Sequence, residues 1–98
     1  MSAGGLSEVR PATTEVQEVV DQVKGEIEQK ENKTYSIFKA FEFKSQTVAG
    51  VNYFISVDVG HGEYLHLRVF KPLSHTGEKV SLNSYQTGKT ASDPLTYF

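Results

Sequence analysis

Two alternating runs separated by a short gap constrain this chain more than any other feature. Phe41, Phe43 and Ser45 alternate before the gap, and Val51, Tyr53, Ile55, Val57 and Val59 alternate after it. A period of two is the mark of a strand with one buried face. Two such runs so close together predict an antiparallel hairpin with its tight tip at residues 46–50. The tip carries Val48 and Ala49, although a reversal between strands has to face water. Either this turn folds back on its own core, or a rigid hairpin presents an apolar tip suited to another protein's groove.

A helix is predicted to begin near Thr14. Thr14 and Gln17 have capping-box spacing, and Glu15 lies in the first turn, where the helix dipole favours an anion. Val16, Val19, Val20, Val23 and Ile27 fall on one face at steps of three and four. A valine-rich stripe has weak intrinsic helicity, and Gly25 costs roughly 1 kcal/mol against alanine. Tertiary packing must therefore hold the helix, and a sheet is the obvious partner. Lys30, Asn32 and Lys33 suit its C-terminal end.

Four strands are predicted after the helix. The first spans about residues 35–46; its phase slips, because Ile37 agrees with Phe41 and Phe43 whereas Phe38 and Ala40 do not. A β-bulge near Lys39 would reconcile them. The second spans 51–59, and Gly60-His61-Gly62 makes a turn. In the third, about 63–70, Leu65, Leu67 and Val69 face inward, while Tyr64, His66, Arg68 and Phe70 face outward. Residues 72–78 form a second loop. The fourth spans about 79–86, with Val80 and Leu82 inward and Gly88 as its breaker. The apolar end of the chain, Leu95-Thr96-Tyr97-Phe98, is placed to dock on the sheet.

One helix followed by a meander is an α+β fold, a long N-terminal helix on a four- to five-strand antiparallel sheet. A chain of 98 residues makes one domain, with residues 1–9 a flexible arm. In a meander alternate connections share an end, so the 46–50 tip neighbours the 72–78 loop. A helix antiparallel to the first strand brings the arm to the same end. Three segments then make one wedge.

Composition removes several functions. Net charge is −2, which gives no general attraction to nucleic acid or an anionic membrane. No stretch approaches the ~20 apolar residues of a membrane span. There is no signal-peptide pattern at the start and no cysteine, which favours the cytosol and removes thiol nucleophiles and cysteine metal sites. His61, His66 and His75 are scattered over different elements and are expected at the surface, not in a metal cluster. No nucleophile elbow or phosphate loop is present, so no enzyme and no cofactor are expected.

The tip residues Gln46-Thr47-Val48-Ala49-Gly50 fit the Gln-x-Val-x-Gly signature of cystatins. The likeness runs along nearly the whole chain. Gly4-Gly5-Leu6-Ser7-Glu8, Lys30-Glu31-Asn32, Phe43-Lys44-Ser45, Asn52-Tyr53-Phe54-Ile55, His66-Leu67-Arg68-Val69-Phe70 and Leu95-Thr96-Tyr97-Phe98 resemble stefins, the intracellular cystatins without disulfides or signal peptides. The N-terminal third is nearer to A-type stefins, and parts of the sheet and C-terminus to B-type.

The resemblance implies a cystatin-like fold and reversible, tight-binding inhibition of papain-like cysteine proteases such as cathepsins. It implies three protease-binding segments: the arm at Gly4 and Gly5, the tip Gln46, Thr47, Val48, Ala49 and Gly50, and the second loop at Leu73, Ser74 and His75. It also implies a cytoplasmic monomer, small enough for nuclear entry, that can exchange strands into a domain-swapped dimer. Two departures stand out. Thr47 replaces the valine usual in stefins, and Pro72-Leu73-Ser74 stands where they commonly read Ser-Leu-Pro. These departures keep open a non-inhibitory binding module or an engineered scaffold on the same fold.

Overall fold

The structure, a computed structural model, describes residues 5–73 and 79–98. Its elements are β1 (Arg10–Pro11), α1 (Thr14–Glu31), β2 (Lys39–Val48), β3 (Gly50–Gly60), β4 (Glu63–Pro72) and β5 (Ser81–Lys89). The strands form one antiparallel sheet in sequence order, β1-β2-β3-β4-β5. The expected α+β architecture is present, with five strands because residues just before the helix add a short one.

Helix α1 starts one residue earlier than the capping-box spacing suggested. Thr13, in extended conformation, is the N-cap, and its side chain accepts from the Val16 N–H. At the other end Asn32 adopts the left-handed conformation with φ 57°, and the Asn32 and Lys33 N–H groups bond the Gln29 and Glu28 carbonyls. The valine stripe and Ile27 are buried as expected. They pack on Ala40, Phe43, Tyr53, Ile55, Val57, Leu65, Leu67 and Val69 from the facing side of the sheet.

The phase slip in the first long strand is a bulge, lying slightly beyond Lys39. Ala40 pairs with Val57 and Glu42 with Ser56, leaving Phe41 as the extra residue. Phe38, Ala40 and Phe43 thus all reach the core, while Phe41 turns out against Tyr64 with ring centroids 5.5 Å apart. Tyr35 and Phe38 precede the strand but remain buried. The tip is narrower than residues 46–50. Gln46 and Thr47 belong to β2, paired with Asn52 and Val51.

The outer edge of β2 is covered piecewise. The Gln17 side chain accepts from Ala40 N–H and donates to the Phe38 carbonyl, Ala12 N–H bonds the Phe41 carbonyl, and Ser7 engages Ser45. The arm is therefore tied down as far as Ser7, inside the segment expected to be free. The edge strand β5 is broken up by irregular pairing instead. Asn83 is extra between Leu82 and Ser84, and Gly88, with φ 69°, lies in a second bulge. Gly88 thus bends the strand where a break was expected.

One histidine departs from the expected surface position. His66 does point away from the helix, yet it is 1% exposed. The C-terminal tail is the reason. Tyr97 and Phe98 pack on Phe54 with ring centroids 5.6 and 5.8 Å away, Arg68 donates to the Phe98 main-chain oxygen at 2.6 Å, and Leu95 is buried. The tail covers the helix-free face.

Candidate functional site

The β2–β3 reversal is as short as the backbone permits. Val48 pairs with Gly50, and Ala49 alone makes the connection. Val48 is 44% exposed, and Thr47 and Ala49 are exposed too. The apolar tip does not fold back on the core. Gly50 is buried at φ 139°, a conformation that L side chains rarely adopt. A Cβ there would lie 2.5 Å from the Lys71 carbonyl oxygen and 2.8 Å from Cζ of Phe70. Glycine is required here both for its φ and for its lack of bulk.

The neighbouring segments converge on the same end. Gly50 pairs with Pro72, so Leu73 leaves β4 beside the tip, and it is 58% exposed. On the other side β1 pairs Arg10 with Phe43, and Ser7 N–H bonds the Ser45 carbonyl at 2.8 Å. The arm therefore runs along β2 toward Val48, and Gly5 lies further on in that direction. Of the residues expected in the wedge, Gly5, Gln46, Thr47, Val48, Ala49, Gly50 and Leu73 are described. Gly4, Ser74 and His75 lie outside the described residues.

Polar contacts anchor this end from behind. Lys71 Nζ is 2.6 Å from a Glu15 carboxylate oxygen, to which the Tyr53 hydroxyl also donates at 3.4 Å. The Lys71 ammonium holds the Glu15 carboxyl below its usual range, and Glu15 raises Lys71 in turn. Burial pushes the Tyr53 hydroxyl up, with the Glu15 charge adding to it. The first turn of α1 is thereby tied to the strand leading into Leu73. Beneath the tip, the buried Asn52 amide donates to Gln46 Oε1 at 2.9 Å.

Sequence reasoning missed Asn52, Phe70 and Lys71 as parts of this end. Asn52 had a usable signal. It stands three residues after Ala49 as Gln46 stands three before, the spacing of a cross-strand pair. Phe70 and Lys71 enter only through the β3–β4 register.

Val48, Ala49 and Leu73 give this end an exposed apolar surface. Among the described residues, no three His, Asp or Glu side chains group as a metal site. His61 sits in the exposed turn at the far end and His66 is buried under the tail.

Comparison with known proteins agrees with this geometry. A cystatin domain model matches residues 4–92. Cystatin-A of Mus musculus is 56% identical over 98 residues, covering 100% of both chains. Cystatin-B of Bos taurus is 53% identical and cystatin-B of Homo sapiens 51% identical over 98 residues, again with 100% of both chains covered. With a full-length match to stefins, the helix-on-sheet fold and the Gln-x-Val-x-Gly tip, this chain belongs to the cystatin family of protease inhibitors.

Proposed function

We propose that this protein is a reversible, tight-binding competitive inhibitor of papain-like cysteine proteases such as cathepsins, and not an enzyme. The observation that carries this reading is the exposure of Val48 and Ala49 on a one-residue reversal whose base is fixed by Gly50. The tip enters the active-site cleft. The arm at Gly4 and Gly5 lies along the non-primed subsites, and Leu73, Ser74 and His75 cover the primed side. Glycine at the arm allows close passage by the catalytic cysteine without offering a well-placed scissile bond. The apolar tip excludes water from the cleft, and its preformed shape keeps the ordering cost of binding small. No covalent bond forms, so inhibition is reversible.

The working form is an intracellular monomer, cytoplasmic and small enough to enter the nucleus. Among the described residues no helix is long and apolar enough to cross a membrane. The short reversal also makes a hinge. If Ala49 straightens, β2 and β3 become one continuous strand, and α1 with β2 pairs into a second chain. Such a swapped dimer consumes the tip and should be inactive. Heating to just below the melting point and then size exclusion checks this; monomer alone would rule it out.

Titration of active papain with the monomer tests the main reading. Inhibition is expected at nanomolar concentrations. Gly50→Trp, whose Cβ has no room, should abolish it. Val48→Asp alters only an exposed side chain, so it should also abolish inhibition while circular dichroism shows the parental fold. A folded monomer that leaves papain untouched would overturn the inhibitor reading and favour the binding module or scaffold suggested by Thr47 and Pro72-Leu73-Ser74.

A further inference from the structure

The register places three side chains in one row directly beneath the tip. Gln46 on β2 pairs with Asn52 on β3, and Asn52 pairs with Phe70 on β4. The next row outward is Val48, Gly50 and Pro72. By the two-residue period of strands, both rows lie on the helix-free face.

The two rows interlock at Gly50. The Phe70 ring reaches forward into the space that a side chain at Gly50 would occupy, with Cζ 2.8 Å and Cε1 3.0 Å from the ideal Cβ position. On the other flank Asn52, 7% exposed, donates its amide to Gln46 Oε1 at 2.9 Å. The row thus binds β2 to β3 by an amide bridge and fills the hollow of β3 with a ring from β4.

We propose that Gln46, Asn52 and Phe70 form a brace that sets the stance of the tip, with Phe70 as its positioning residue. This deepens the inhibitor reading and rests on it. Val48 and Ala49 project from a reversal too short to hold its own direction. With the hollow at Gly50 filled, the tip cannot rock toward the helix-free face. It therefore meets the protease in its bound shape, and less ordering remains for the moment of docking. The glycine and the aromatic ring act as a pair: one provides the turn, and the other takes the space that the turn leaves.

Phe70→Leu tests the brace. It keeps an apolar side chain but removes the ring edge at Gly50. Amide hydrogen exchange of Val48, Ala49 and Gly50 in the free protein should speed up, while exchange in α1 stays as in the parent. Dissociation from papain should quicken by about tenfold with association nearly unchanged. Asn52→Leu, which removes the amide bridge, should shift both readouts in the same direction. Phe41→Leu removes an exposed ring far from the tip and should move neither.

Unchanged exchange at the tip in Phe70→Leu would overturn the brace. Faster exchange with unchanged papain dissociation would overturn its positioning role. If the parent fails to inhibit papain, the inhibitor reading falls, and tip exchange alone still decides whether the brace exists.

Discussion

The two faces of the sheet are buried by different covers, and the covers bury different chemistry. On one side α1 lays Val16, Val19, Val20, Val23 and Ile27 on an aliphatic and aromatic surface. On the other, the tail packs on Phe54 and Arg68, and the same face buries Ser56 and His66, a mixture of ring, guanidinium, hydroxyl and imidazole. Beneath the tail, His66 Nε2 and Arg68 Nε are buried with no hydrogen-bond partner among the described residues. The helix supplies its own backbone hydrogen bonds and can bring an all-apolar stripe. An irregular tail cannot, and it relies on ring stacking and on Arg68, which lies over the Tyr97 ring at 4.7 Å. Hydrophobic burial holds the first face, and the second keeps polar groups at a cost.

The helix-covered face should be the more sensitive to loss of a core side chain. Ile27→Ala leaves a cavity between helix and sheet and should cost about 3–4 kcal/mol of unfolding free energy, read from urea titration. Leu95→Ala on the other face should cost less, about 2 kcal/mol, because the tail can settle into the gap. Equal costs would mean that the tail is as tightly packed as the helix.

His66 makes the tail-covered face sensitive to pH. Burial lowers its pKa below the usual 6.5, the positive charge of Lys89 adds to that, and Asp93 opposes it. The unfolded chain therefore takes up this proton more readily than the folded one. Stability should be full above pH 6.5 and should fall as pH drops from there through the lower folded value. His66→Leu should flatten that slope and, by removing an unpartnered buried nitrogen, raise stability by about 1 kcal/mol. Urea midpoints at several pH values check both; an unaltered slope would exonerate His66.

The smallest effect belongs to the ion pair at the helix start. Glu15 and Lys71 side chains are 56% and 33% exposed, so solvent screens them and Glu15→Gln should cost about 0.5 kcal/mol or less. The Glu15 contribution is present above its usual 4.5 and is lost as pH falls through its lower folded value. High salt should erase the difference between Glu15→Gln and the parent.

The same division governs how much was legible in the sequence. The helix stripe could be read because α1 carries its own period and needs only some sheet to cover. The inward set Leu65, Leu67 and Val69 followed from strand alternation for the same reason. Alternation gave the direction of His66 correctly but said nothing about what lies over that direction. Its burial depends on a tail nearly thirty residues away with no period of its own. Apolar residues at the tip were equally legible, since Val48 and Ala49 have no place at a solvated reversal unless something else uses them. The narrowness of the tip was not. Gln46 and Thr47 look like turn residues, and only pairing with Asn52 and Val51 returns them to the strand. The phase slip between Phe38 and Phe43 signals the bulge but not its exact place, because only the pairing of Ala40 with Val57 and Glu42 with Ser56 shows that Phe41 is the extra residue.

The order of synthesis gives the tail a further role. Residues 90–98 leave the ribosome after α1 and all five strands, since each of those elements precedes them in the chain. The elements of the helix face are thus available first, whereas Phe54 stays uncovered until Tyr97 and Phe98 emerge. A nascent chain paused before Leu95 would already hold α1 and the strands and still carry an uncovered aromatic face, open to chaperones and to aggregation.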